Sequence, residues 1–268
     1  MGVRVGAVVW GWCRAGLEVV REAQRCGVHV RAGVRNVQRA TARGLLHEPP
    51  ASIRVVPLDV VSSPDSTLQA ALEGVQVVIC CVGFVPTYSS AAYDRAQMWA
   101  VDAEGVGRLV RAAEAAGGVR RFVLVSSLLV NAPATASYTL LNTLGGVLEA
   151  KAAAEQRLRD SSLAYTILRP GVFALRPQGG MYLAAEDTFD GEMHDPVLGP
   201  PVACASPFMA GSDRAVCGVT RTQVGGAAVM LTTCCLYIHL PFVFLQCRNR
   251  ELDIVPFTLT QILCPRAH

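Results

Sequence analysis

The sequence predicts an α/β fold: a doubly wound parallel sheet with helices on both faces, followed by a small irregular C-terminal part. Short apolar runs alternate with helical patterns over the first two thirds of the chain, as in a parallel sheet with right-handed crossovers. Hydrophobic residues make up 51% of the 268 residues and charged residues 17%. This composition excludes a disordered chain and suits strands buried on both faces. The net charge of +3 is too small to indicate nucleic-acid binding.

Six apolar runs of strand length predict the sheet, at Val3–Val9, Val28–Val34, Ile53–Leu58, Val75–Val82, Arg121–Ser126 and Ala164–Leu168. Helical patterns between them predict helices at Leu17–Arg25, Ser66–Leu72, Val101–Ala116 and Leu148–Asp160. Gly27 follows the first helix in a position that suits a C-terminal cap, and Pro170 stops the last strand. The first strand, first helix and second strand take about thirty residues, the length of a βαβ unit.

The pattern weakens after Phe173, so we assign residues 1–173 to the sheet domain and residues 174–268 to a divergent C-terminal segment on the substrate side. Within that segment, Thr222–Cys247 carries no formal charge and is long enough to span a bilayer. Pro241 interrupts it, which favours buried core over a membrane span. Membrane association is kept as an alternative.

Ten cysteines are present, and none has the C-x-x-C spacing. Cys80 and Cys81 are adjacent in an apolar strand, which places them poorly for bridging each other or for holding zinc. We expect buried, reduced thiols and an intracellular reducing compartment. His194 and His239 lack metal-ligand spacing, so no metal site is predicted.

The connection between the first strand and the first helix is Trp10–Gly16, with the sequence WGWCRAG. A tight turn at this point presents the helix N-terminus, whose N–H groups and dipole attract the pyrophosphate of a dinucleotide. The candidate pyrophosphate-binding residues are therefore Gly11, Arg14, Ala15 and Gly16.

Arg35 follows the second strand, where the choice between NAD and NADP is made in dinucleotide-binding domains. An acidic residue there binds the ribose 2′-hydroxyl, whereas a planar guanidinium suits the 2′-phosphate. With Arg31 and Arg39 close in sequence and no acidic neighbour, NADP is the predicted cofactor. The alternative is a solvated basic loop. Gly83, after the fourth strand, leaves room for the adenine ribose.

Five segments in a fixed order carry a family resemblance: VRAGVRNVQRA, VVICCVG, FVLVSSL, GVLEAKAAAEQRL and AYTILRPG. Together they resemble the atypical short-chain dehydrogenase/reductase family, a Rossmann-type NAD(P)-binding family, between Val3 and Phe173. Within it they are similar to a group that includes the NADP-binding domain of the redox-sensing subunit of the plastid inner-envelope translocon. The resemblance implies NADP binding, an oxidoreductase-like or redox-sensing function, and a chloroplast location.

The phosphate turn departs from the family pattern, which reads G-A-T-G-x-x-G. Its three glycines fall on Trp10, Cys13 and Gly16, so only the last is kept. The first glycine makes the tight turn and the second lets the backbone approach the pyrophosphate. A side chain at either position adds bulk and makes positive φ costly. We therefore expect weakened or lost cofactor binding unless a shifted turn uses Gly11.

The resemblance also implies an adenine site after the third strand. There Asp59 matches the family residue that accepts the adenine amino group, and Val60 lies beside it in sequence. The alternative is that Asp59 only initiates a turn.

The resemblance implies an incomplete catalytic site. Short-chain dehydrogenases use Ser, Tyr and Lys, and their Tyr lies four residues before Lys, where the ammonium lowers the phenol pKa. Ser127 and Lys151 match the family positions, but Val147 stands where the tyrosine belongs and Tyr138 is too distant in sequence to share that helical face. We therefore interpret Lys151 as a ligand of the ribose hydroxyls. The alternative is a surface lysine paired with Glu155 at i+4.

Three functional hypotheses follow. The first is an NADP-binding, oxidoreductase-like protein that senses NADP/NADPH poise, with weak, atypical or no catalysis. The second is a non-catalytic scaffold that kept the fold and lost the cofactor. The third is a membrane-associated protein, in which case a protein partner is also expected. A small-molecule cofactor is the expected ligand, and nucleic acid is not.

Overall fold

The computed structural model describes residues 7–10, 14–42, 52–86, 90–143 and 145–170. Six parallel strands form one sheet in the order β3-β2-β1-β4-β5-β6. The strands are β1 Ala7–Trp10, β2 Val30–Val34, β3 Ile53–Pro57, β4 Val77–Cys80, β5 Arg121–Val125 and β6 Tyr165–Leu168. The predicted doubly wound parallel sheet is confirmed, and each strand overlaps its predicted apolar run, although β1 extends to Trp10, which was predicted to begin the turn.

Seven α-helices and one π-helical segment lie between the strands in the described part of the chain. They are α1 Arg14–Arg25, α2 Val37–Ala42, α3 Asp65–Leu72, α4 Ala91–Met98, α5 Val106–Ala116, α6 Ala136–Asn142 and α7 Val147–Arg159, with the π-helical segment Trp99–Gly105 between α4 and α5. After α1, Gly27 has a φ of 68°, as its predicted capping role requires.

The short helices α2, α4 and α6 were not predicted from the sequence. Each begins at a polar cap, because the side chains of Asn36, Ser90 and Thr135 accept hydrogen bonds from backbone N–H groups one turn later. These helices have too few turns to show a clear 3.6-residue period, so the caps were their only local signal.

The helix predicted at Val101–Ala116 divides in the structure. Its first turn belongs to the π-helical segment, and regular α-helix begins at Val106. An apolar pattern does not distinguish the two, because a π turn adds only one residue per turn. Within this segment the carbonyl oxygen of Ala103 accepts a hydrogen bond from Arg157 of α7 at 2.7 Å.

Two hydrophobic layers cover the two faces of the sheet. On one face Leu68 and Leu72 of α3, Leu109 of α5 and Leu158 of α7 pack in one cluster with Phe122 of β5, and none of these side chains is exposed to solvent. On the other face α1 packs through Val19, Val20 and Ala23. Full burial of a large apolar side chain contributes about 1.5–3 kcal/mol, so these layers dominate the stability of the domain.

The strand order reverses between β1 and β4. Trp10, at the end of β1, is paired with Gly33 of β2 on one side and Cys80 of β4 on the other. A crevice opens at the carboxyl ends of strands at such a switch point, and this is where open α/β sheets bind ligands. Cys80 and Cys81 lie at this edge as buried thiols.

The C-terminal predictions for residues 174–268, including Thr222–Cys247, lie outside the described residues. Among the helices that the structure does describe, none has the length and apolar character needed to cross a membrane.

Candidate functional site

The phosphate turn is short in the structure. Strand β1 ends at Trp10 and α1 begins at Arg14, so Ala15 and Gly16 lie in the first turn of α1. The N-terminus of α1, with its positive dipole end, therefore lies at the carboxyl edge of the sheet. This is the geometry that a pyrophosphate needs. Gly11 and Cys13 lie outside the described residues.

Trp10 is the last paired residue of β1, not part of the turn. Its backbone is therefore extended, and the cost of positive φ that the sequence suggested at the first family glycine does not arise there. At Trp10 the departure from the family glycine is therefore one of side-chain bulk and not of backbone conformation.

Arg35 follows β2 at the same edge of the sheet, between the strand and the capping residue Asn36 of α2. Its side chain is exposed, and within the described residues no hydrogen bond or ion pair involves it. A guanidinium in this position is available to an anionic ligand.

Arg31 does not join Arg35 in a basic cluster. Its Nη1 donates to the carbonyl oxygens of Ala71 at 2.5 Å and Glu73 at 3.1 Å, at the C-terminal end of α3. Those carbonyls have no partner within the helix, so Arg31 serves as a cap from the neighbouring strand. The sequence did not reveal this role, because the partners are far apart along the chain.

Asp59 forms a turn after β3. Its Oδ1 accepts from the N–H of Val61 at 2.9 Å, and the hydroxyl of Ser63 accepts from the Asp59 N–H at 2.9 Å. The turn-initiating role is therefore present. It engages one carboxylate oxygen, so it is compatible with an adenine-binding role for the other. Val60 is buried beside it.

Lys151 is not a surface lysine. Its Nζ lies 2.9 Å from Oδ1 of Asp102, and the two side chains are 16% and 1% exposed. The second carboxylate oxygen of Asp102 accepts from the backbone N–H of Phe84 at 2.8 Å, next to Gly83. Asp102, which lies in the π-helical segment, therefore links that segment to the end of β4 and to α7.

Sequence reasoning missed Asp102, although a signal was present. Asp102 lies four residues before Val106 and seven before Leu109, so helical periodicity places a carboxylate on an apolar face. A buried carboxylate needs a cation, and Lys151 is the single lysine of the chain.

The alternative pairing of Lys151 with Glu155 is replaced by a different network. The fully buried Glu155 carboxylate accepts hydrogen bonds from Arg159 Nη2 and from Arg169 Nε, each at 2.9 Å. Burial is the largest single influence and acts to raise the pKa of Glu155, but the hydrogen bonds from Arg169 and Ser126 and the charges of Arg169 and Arg159 together outweigh it, and the pKa lies below its ordinary value. Because Arg169 follows β6, this pair fixes α7 to the end of that strand.

Ser126 and Ser127 follow β5 at the carboxyl edge. A small crevice between the sheet and α7 is lined by Ser126 together with Lys151 and Asp102. Ser127 is half-buried and is not among the lining residues, so its catalytic role stays a prediction. Leu129 has a φ of 71°, a strained conformation that often marks functional sites and costs a non-glycine residue about 1–2 kcal/mol.

The helix α7 supplies no phenol to Lys151. The position four residues before Lys151, where the family has its tyrosine, is occupied by Val147 at the start of α7. Tyr138 of α6 packs against the cluster around Leu148. Burial, and then the charge of Glu149, raises its pKa. A short-chain dehydrogenase requires the opposite shift at its tyrosine.

A family model described as NAD(P)H-binding matches residues 13–195, more than half of the chain. The chain belongs to the NAD(P)H-binding family. The match includes every helix and strand from α1 to β6. Together with the relatives below, it confirms the resemblance to atypical short-chain dehydrogenases/reductases that the sequence suggested.

Two relatives of this NAD(P)H-binding chain are chloroplastic proteins. An uncharacterised protein of Arabidopsis thaliana is 36% identical over 181 residues, which cover 65% of this chain and 61% of that protein. Protein TIC 62 of Oryza sativa subsp. japonica is 32% identical over 193 residues, which cover 66% of this chain and 38% of that protein. The chain thus spans less than two thirds of the length of either relative.

Solved structures support the same fold. A putative NAD-dependent epimerase/dehydratase from Bacillus halodurans superposes on this NAD(P)H-binding chain with a TM-score of 0.60 at 21% sequence identity. The superposition covers 84% of this chain and 86% of that chain.

Proposed function

We propose that this protein binds NADP(H) in preference to NAD(H) and senses the NADP/NADPH poise without the proton relay of a short-chain dehydrogenase. The observation that carries the preference is the exposed Arg35 at the carboxyl end of β2. No described hydrogen bond or ion pair engages its guanidinium, so a 2′-phosphate would meet an available donor.

The described residues fit the adenosine half of a dinucleotide. The first turn of α1 offers N–H groups for the pyrophosphate. Gly83 is exposed, and a Cβ added there would meet only Asp102 Oδ1, at 3.6 Å, which leaves space at the edge of β4. Asp59 keeps one carboxylate oxygen outside its turn.

Within the described part of the chain, Val147 stands at the position where a conventional short-chain reductase places its tyrosine beside the nicotinamide half. NADPH supplies a hydride when bound, but the partner proton needs a positioned acid. Val147 carries none, the pKa of Tyr138 is raised, and the ammonium of Lys151 is held by Asp102. This combination favours a binding and sensing function over rapid turnover.

Calorimetric titration of the purified chain with NADPH and NADH tests the proposal. A charge-assisted hydrogen bond contributes about 1.5–3 kcal/mol, so Arg35→Gln should weaken NADPH binding by about 10- to 100-fold and leave NADH unchanged. Arg54→Gln, an exposed arginine within β3, is the matched control and should change neither affinity.

Two outcomes would contradict the proposal. Equal affinities for NADPH and NADH would remove the role of Arg35. No saturable binding at millimolar cofactor would favour the scaffold hypothesis, in which Trp10 and Cys13 at the family glycine positions have abolished binding. Relatives from chloroplasts favour a chloroplast location, which subcellular fractionation with an antibody to this chain would test.

A further inference from the structure

We propose that Arg108 is a positioning residue for adenine recognition: it holds the segment Asp59–Asp65, the adenine loop, in the conformation that presents Asp59. The proposal rests on the cofactor binding proposed above. It concerns a residue on α5, a helix that contributes no other predicted cofactor ligand.

The Arg108 guanidinium donates hydrogen bonds to four residues of the adenine loop. Nη1 donates to the carbonyl oxygens of Val60 at 2.8 Å and Val61 at 2.6 Å, and Nη2 donates to that of Ser63. Nε donates to Oδ1 of Asp65 at 2.8 Å. A single planar group therefore fixes three backbone carbonyls of one short loop, which a point charge such as an ammonium does not do.

Backbone contacts carry this arrangement more than the ion pair does. The Asp65 side chain is 76% exposed, so solvent screens its attraction to Arg108. The Arg108 side chain is only 20% exposed, and its hydrogen bonds to the carbonyls of Val60 and Ser63 are partly buried. Loss of the guanidinium would leave those carbonyls without their protein donor.

Packing holds the same loop from the same helix. Val60 is buried, and a Cβ added to Gly105 would come within 2.6 Å of Val60 Cγ2. Gly105 lies three residues before Arg108, so both face the loop from adjacent turns. Contact at this distance is possible because glycine has no side chain.

Asp59 lies at the start of this fixed loop. Its own hydrogen bonds run to Val61 and Ser63, the residues whose carbonyl oxygens Arg108 holds. The Arg108 contacts therefore determine where the Asp59 carboxylate lies relative to Arg35 on the neighbouring strand. Arg108 would act on the cofactor through the loop, without touching it.

Binding of NADPH and of its deamino analogue, in which hypoxanthine replaces adenine, tests this role. The wild-type chain should bind NADPH about tenfold more tightly, because only adenine donates an amino hydrogen bond to Asp59. In Arg108→Met the ratio should fall towards one, while the NADPH to NADH ratio set by Arg35 should stay within about threefold of wild type. Arg108→Lys should give an intermediate ratio.

Arg111→Met is the matched control, an exposed arginine one turn further along α5, and should leave both ratios unchanged. Hydrogen exchange followed by mass spectrometry supplies a readout that needs no cofactor. Peptides covering the adenine loop should exchange at least about tenfold faster in Arg108→Met, while β5 peptides stay protected.

The outcomes separate the two proposals. Wild-type discrimination that survives in Arg108→Met would overturn the positioning role and leave the proposed function intact. Unchanged exchange of the adenine loop would overturn it too, whether or not cofactor binds. If the wild-type chain binds neither dinucleotide, the proposed function fails, and the adenine role of Arg108 fails with it.

Discussion

Replacing Lys151 with methionine removes the cation paired with a carboxylate that is almost completely buried. The Asp102 side chain is 1% exposed and lies 2.9 Å from Lys151 Nζ. Methionine keeps most of the aliphatic stem, so the main change is the loss of charge. Removing one partner of a buried ion pair costs about 3–5 kcal/mol, because the other charge is left without compensation.

This cost is large enough to be measured as a change in melting temperature. For domains of about 150–250 residues, each kcal/mol shifts the midpoint by about 2–4 °C, so Lys151→Met should lower it by about 6–20 °C. Circular dichroism during thermal and urea unfolding measures both quantities. Arg21→Met is the control, because its ion pair with Glu18 is on the surface, and it should cost less than about 1 kcal/mol.

A double variant tests the reason for the loss. Asp102→Asn keeps an oxygen that can accept from the Phe84 N–H but removes the buried charge. Asp102→Asn combined with Lys151→Met should therefore be more stable than Lys151→Met alone. A loss below about 1 kcal/mol for Lys151→Met, or a double variant that is less stable still, would refute the interpretation of a compensated buried charge.

Two further predictions concern the packing around α7. The pKa of Glu155 is lowered from its ordinary value of 4.5. The ion pairing of Glu155 therefore stabilises the fold above that pH, and this stabilisation is lost as the pH falls through the lowered native pKa. Urea unfolding midpoints should show that Glu155→Gln is less stable than wild type at neutral pH and that the difference shrinks in acid. A Cβ added at Gly107 would lie 2.8 Å from Arg157 Cδ. Gly107→Ala should therefore lower the free energy of unfolding by about 1–3 kcal/mol in thermal unfolding, and by less in an Arg157→Ala background. Equal losses in both backgrounds would rule out the contact.

The site was only partly predictable from the sequence. The elements that carry Arg35, Asp59, Gly83 and Lys151 were predicted because each follows or lies within a strong apolar pattern. The alternative prediction, that Lys151 pairs with Glu155, was wrong. Helical spacing points to Glu155, whereas the structure pairs Lys151 with Asp102. Spacing along one helix describes neighbours on that helix and says nothing about a second helix packed against it.

The sequence by itself determined the doubly wound sheet, its six strands and the family of the chain. Local runs of apolar residues decide strands and helices, and chirality then limits how they connect. Only the tertiary structure decided that Arg31 caps α3, that Arg108 holds the adenine loop, and that Asp102 meets Lys151. These contacts join residues far apart in sequence, and they depend on how each helix is seated against the sheet, which packing of the whole core sets.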